Sequence, residues 1–113
     1  MQLSQAEIKQ LNPQQYLISG TVDFSTVPGL TQRVVDFFKS YKKSAVTQSA
    51  AEKVMIDLSA ITDCNSAGLA LLLEIDKQAH SKNIDVYFEN LPDNLLTIAK
   101  AYGVESEIRD ICK

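Results

Sequence analysis

The sequence has no tryptophan, one histidine, His80, and only two cysteines, Cys64 and Cys112. A single histidine and two distant cysteines match no metal-ligand spacing. They also build no disulfide framework, so a reducing, cytoplasmic setting suits them. Basic charge is not in excess: 11 Lys and Arg stand against 14 Asp and Glu, a net charge of −3. That excludes the basic footprint of a nucleic-acid binder and the polybasic segment that adsorbs to anionic lipid. No apolar run approaches the ~20 residues of a membrane span. The opening residues, Met1-Gln2-Leu3-Ser4-Gln5-Ala6-Glu7, carry no basic flank and no apolar leader core. No direct membrane insertion is expected, and any peripheral link to an inner membrane must pass through a protein partner. There is no Gly-rich phosphate loop, and no cofactor is expected.

What is present is ordinary globular material. Hydrophobic residues make up 45% and charged residues 22% of 113, the usage of a typical domain. The length fits one domain, residues 1–113 with a core over about 8–108.

The most informative stretch is Ile56-Asp57-Leu58-Ser59-Ala60-Ile61-Thr62-Asp63-Cys64-Asn65-Ser66-Ala67-Gly68-Leu69-Ala70-Leu71-Leu72-Leu73. Val54, Ile56 and Leu58 alternate with Met55, Asp57 and Ser59, the period of a strand over Lys53–Ser59. Thr62 to Ser66 are residues that bond their own backbone and favour turns and caps. Gly68 to Leu73 is uncharged and rich in Leu, a good helix former. Asn65 or Ser66 can cap the first amides of that helix. The helix is predicted from Ser66 to about Ser81 or Lys82, before Asn83. At ~100° per residue, Gly68, Leu71, Leu72, Ile75 and Ala79 share the core side. Ser66, Leu69, Ala70, Leu73 and Lys77 share a second side that is more apolar than a solvated face requires. Two readings stand: a helix wedged deep among neighbours, or a docking patch.

The run "IDLSAITDCNSAGLALLL" resembles the core signature of the STAS domain, found in sulfate transporters and anti-sigma factor antagonists. Asp63, Asn65, Ser66, Ala67 and Gly68 stand in its motif. Gly-Leu-Ala-Leu-Leu-Leu, Gly68 to Leu73, is most similar to the MlaB branch, small subunits of the Mla phospholipid-transport ABC complex. The resemblance implies that Ser66 matches the Ser or Thr that anti-sigma antagonists use as a phosphoacceptor. The usual acidic residue before that hydroxyl is Asn65 here, which leaves the cap but puts the phosphorylation switch in question.

The rest of the chain supplies the other elements. Ala6, Ile8 and Leu11 suit a short edge strand, or residues 1–12 form a frayed tail. Asn12-Pro13-Gln14-Gln15 marks a turn, and Tyr16–Val22 is a strand paired with the first, with Gly20 at a bulge. Ser25 or Thr26 caps a helix with Pro28 in its first turn. Its stripe is Val27, Leu30, Val34, Phe37, Phe38 and Tyr41, and Lys39, Lys42 and Lys43 suit its C-terminal end. Residues 44–51 form a loop. Asp85–Asn90 is a strand, and strand, helix, strand over 53–90 makes a βαβ unit with a parallel pair. A last main helix begins near Asp93, with stripe Leu95, Ile98, Ala99 and Tyr102 and with Gly103 just past its end. Glu105 to Lys113 adds a short helical turn through Ile108 and Ile111. The expected fold is α/β, a mixed sheet of about four strands in the order β-β-α-β-α-β-α.

Enzymatic chemistry is not expected. On one continuous helix His80 lies ~20 Å along the axis from Ser66, whereas a nucleophile–base dyad needs ~3 Å. Asp57, Asp63 and Asp76 fit no ion loop. Cys64 is either a small buried residue or a thiol activated at a helix entrance. Ser59 and Thr62 are hydroxyls in strand or turn roles. Three functions remain: an accessory subunit on the cytoplasmic ATPase of an ABC transporter, an anti-sigma factor antagonist read by a serine kinase, and a small-molecule or nucleotide-binding module.

Overall fold

The structure, a computed structural model, describes residues 5–40 and 52–112. The elements are β1 (Ala6–Asn12), β2 (Gln15–Val22), α1 (Val27–Ser40), β3 (Glu52–Cys64), α2 (Ser66–Ser81), β4 (Ile84–Glu89), α3 (Asp93–Tyr102) and α4 (Glu105–Ile111). They form a single α/β domain with a four-stranded mixed sheet in the order β1-β2-β3-β4. The expected order of elements is observed, with the final helical turn realised as a separate short helix.

β1 and β2 are the expected antiparallel hairpin. Asn12 closes its turn by accepting the Gln14 N–H at 2.9 Å through its side chain. Gly20 sits at φ 91°, where an added Cβ would land on the Gln5 carbonyl oxygen. Only glycine takes that backbone shape without strain. It also marks the predicted irregularity, since the β2–β3 register shifts between Gly20 and Thr21. β3 and β4 are the parallel pair expected of the βαβ unit, and β2 is also parallel to β3.

One face of the sheet carries Ile8, Tyr16, Ile18, Val54, Ile56, Leu58, Ile84, Val86 and Phe88, all buried. The helices supply Leu30, Val34, Phe38, Leu71, Leu72, Ile75, Ala79, Leu95, Ala99 and Ile108 to the same core. Burial of each of the larger side chains among them contributes roughly 1.5–3 kcal/mol. The opposite face alternates, with Lys53 exposed and Met55, Asp57, Asp85, Tyr87 and Glu89 half-buried. The α1 stripe packs as its spacing requires, and Phe37 meets Tyr16 with ring centroids 5.1 Å apart. Tyr41, Lys42, Lys43 and the loop 44–51 lie outside the described residues.

Two expectations need correction. β3 does not stop at Ser59 but runs to Cys64. Its pairing with β2 continues to Val22–Cys64 through two register shifts, each adding a residue on the β3 side. Each bulge breaks the alternation of side chains across the strand, so the strand continues past the point where its pattern stops. Tyr102 is not part of the α3 core stripe: it is 65% exposed, at the last residue of the helix. Gly103 does take the left-handed position past that end, at φ 75°.

Candidate functional site

The parallel strands β2 and β3 end side by side, each running into a helix. Val22 pairs with Cys64, and the Asn65 N–H donates to the Val22 carbonyl at 3.2 Å. The turn after β2 and the entrance of α2 therefore form one surface at the carboxyl ends of the strands.

Asn65 is the N-cap of α2, in extended backbone. Its side-chain oxygen accepts the Ala67 N–H at 2.8 Å, and its carbonyl accepts the Gly68 N–H at 2.9 Å. Of the two candidate caps, Asn65 does the capping and Ser66 is the first helical residue. Ser66 is half-buried, and among the described residues its hydroxyl has no hydrogen-bond partner. It therefore stands at the positive end of the helix macrodipole, where a negative charge is favoured.

The entrance is fixed from behind by α3. The Asn94 amide donates to the Cys64 carbonyl at 2.9 Å, and its oxygen accepts the Cys64 thiol at 3.3 Å. Gly68 faces Leu95 so closely that an added Cβ would lie 3.1 Å from Leu95 Cδ2. The motif glycine is thus needed for a close approach of helices, not for an unusual φ. Burial pushes the Cys64 thiol above its usual range, against the bond to Asn94, and the nearby Asp63 carboxylate pushes it further up. An activated thiolate needs the opposite shift, so Cys64 is the small buried residue of the two readings.

The second side of α2 divides. Leu69 is 3% exposed and belongs to the core, which removes it from any surface. Ala70 and Lys77 are exposed, while Ser66 and Leu73 are half-buried. Ala67 and Gly68 are buried and Asp63 is exposed. The deep wedging of the helix is thus true for Leu69 but not for Ala70.

Residues with other proposed chemistry are not brought together. Asp57 bonds the Asn90 amide at 2.9 Å and the Ser59 N–H at 2.8 Å. Those bonds hold its carboxyl below the usual range. Asp76 lies 3.7 Å from His80, one turn along α2. Among the described residues no group of His, Cys, Asp and Glu could hold a metal ion. α2 is continuous from Ser66 to Ser81, so His80 stays at its far end. Among the described residues no helix is long and apolar enough to cross a membrane.

One residue escaped the sequence reading. Phe24 is 72% exposed, two residues past Val22 as Ser66 is two past Cys64. Its turn is closed by hydrogen bonds: the Asp23 side chain accepts the N–H groups of Ser25 at 2.9 Å and Thr26 at 3.1 Å. The signal was available, an aromatic residue amid Asp, Ser and Thr in a turn, where no core needs it.

Comparisons with known proteins agree on the fold. The chain is similar to a solved structure of the anti-sigma factor antagonist SpoIIAA in its unphosphorylated form, with a TM-score of 0.65 at 12% identity, covering 96% of this chain and 86% of that one. It is similar also to the phosphorylated form of SpoIIAA, described as a Bacillus cell fate determinant, with a TM-score of 0.63 at 11% identity over 96% and 89% of the two chains. No curated sequence relative matches. The family model of the STAS domain matches residues 7–113. With the bulged central strand, the capped entrance of α2 and this match in hand, the chain belongs to the STAS domain family.

Proposed function

We propose that this chain is a non-catalytic STAS regulatory subunit that docks a protein partner through the entrance of α2. The observation that carries the reading is the half-buried Ser66 hydroxyl, which has no hydrogen bond among the described residues, at a strand-to-helix junction where Phe24 and Ala70 are also exposed. A small uncharged side chain, an aromatic anchor and a positive helix end form a surface another protein can cover. The favoured partner is the cytoplasmic ATPase of an ABC transporter for phospholipids, serving outer-membrane lipid asymmetry. The MlaB-like run Gly68 to Leu73 and the neutral Asn65 support that choice. Ser66→Glu and Ala70→Glu should each weaken the complex with that ATPase at least tenfold, or ~1.4 kcal/mol, by isothermal titration calorimetry. Unchanged affinity in both variants would end the reading.

A second reading, an anti-sigma factor antagonist, is favoured by the same free hydroxyl and by the likeness to SpoIIAA. A phosphate on Ser66 would add about −2 charge to the docking surface. A cognate serine kinase with radiolabelled ATP should then modify the native chain and not Ser66→Ala. Absence of label on the native chain would remove this reading and leave the first standing.

A further inference from the structure

A second surface lies away from the α2 entrance, between α2, β4 and α4. It is a groove of about 370 Å³ lined by Leu73, Asp76 and His80 of α2, Asp85, Val86 and Tyr87 of β4, and Glu107, Asp110 and Ile111 of α4. Its apolar part is the half-buried Leu73 and Ile111, over the buried Val86. Its rim holds four carboxylates and one histidine. These residues are spread over three elements and nearly forty positions, so the concentration of negative charge is made by the fold.

The groove also runs along a strand edge. β4 ends the sheet, paired with β3 on one side. Among the described residues its outer side carries a single bridge, Phe88 to Cys112, in parallel sense. Cys112 follows Ile111, which lines the groove, so the bridge stands at one end of it and covers the edge at a single residue. A strand directs about half its backbone groups to each side, so a terminal strand is a template for an added one.

We propose that this groove takes an extended, lysine- or arginine-bearing peptide segment of another protein, added as a strand on the outer edge of β4. Backbone bonds to β4 hold the segment, its apolar side chains meet Leu73 and Ile111, and its cations face Asp76, Asp85, Glu107 and Asp110. Charge selects this occupant over a second copy of the chain. Self-pairing here would lay the same carboxylates against each other, which is unfavourable across a strand pair. Burial raises the Asp76 carboxyl above its usual range, the adjacent His80 opposes this, and repulsion from the Asp85 charge adds a smaller rise. A bound cation relieves that repulsion.

The test uses the full chain and a fluorescein-labelled peptide of alternating lysine and valine, eight residues long, followed by fluorescence anisotropy at low salt. The double variant Asp85→Asn, Asp110→Asn keeps the side-chain shapes. Asp85 accepts the Tyr87 hydroxyl at 3.0 Å, and the amide oxygen that replaces its carboxylate can still do so. Binding at least tenfold weaker in that variant is expected. Glu7→Gln, on β1 at the far edge of the sheet, should change it less than twofold. A probe with alternate backbone amides methylated should also lose at least tenfold, because it cannot complete the strand. Three results each overturn the proposal: no saturable binding, equal binding by the double variant, or equal binding of the methylated probe. Sedimentation showing a dimer that the double variant strengthens would place a second copy in the groove and also overturn it.

Discussion

The two strand-to-helix junctions at the carboxyl end of the sheet are neighbours with opposite internal chemistry. After β2, the polar side chains are engaged within the turn. Asp23 accepts two backbone amides and the Ser25 hydroxyl, the last at 2.6 Å. The Thr26 hydroxyl accepts the Asp23 N–H at 2.9 Å and donates to the Thr21 carbonyl at 2.8 Å. After β3, Asn65 satisfies one amide, and the next side chain, Ser66, makes no bond among the described residues. The first junction is complete in itself. The second holds a hydroxyl with no bond among the described residues, and the proposed docking surface rests on that difference.

That contrast can be broken or sharpened by substitution. The largest expected effect is at Leu69, where truncation to alanine should cost about 2–5 kcal/mol by urea denaturation. A small loss would mean that α2 is held loosely and that its entrance is not a rigid surface. Next comes the engaged junction, where Asp23→Ala should cost about 1–2 kcal/mol by removing a shared acceptor. Gly68→Ala should cost about 1 kcal/mol, since the gain in helix propensity is outweighed by crowding against Leu95. Relief by the double change Gly68→Ala, Leu95→Val would locate the strain in that contact. Ser66→Ala, at the open junction, should change stability by less than about 0.5 kcal/mol. Equal losses for Asp23→Ala and Ser66→Ala would erase the distinction.

The smallest effect is in the pH dependence. The folded-state pKa of Cys64 is raised above its ordinary value near 9.0. The unfolded thiol therefore ionises first as pH rises, and the unfolded state holds fewer protons there. Stability should fall above about pH 9, and Cys64→Ala should flatten that limb of the curve. An unaltered slope would show that Cys64 ionises as freely in the fold as in the open chain.

The sequence displayed the fold well because periodicity speaks directly about burial. Val54, Ile56 and Leu58, the core stripe of α2, and Gly103 are each set by a local rule. The end of β3 was hidden because two bulges broke the alternation that identifies a strand. The surface at α2 was only half legible. Residue spacing gives the side of a helix but not how far neighbours wrap around it, so Leu69 and Ala70 looked alike and separated only in three dimensions. Of the four rim carboxylates, Asp85, Glu107 and Asp110 each read as an ordinary surface residue, and Asp76 stands out only in a trio with Asp57 and Asp63 that fits no ion loop.

The bonds that Asn94 makes to Cys64 have a consequence for assembly. The end of β3 and the start of α2 are finished by Asn94 and Leu95, thirty and twenty-seven positions later than the residues they hold. On a ribosome, where the chain appears from its N-terminus, that junction stays incomplete until α3 has been made. A nascent chain short of residue 94 would lack the fastening that shapes the hydroxyl-bearing end. If the proposed docking holds, competence for it arrives late in synthesis, after all four strands have been made.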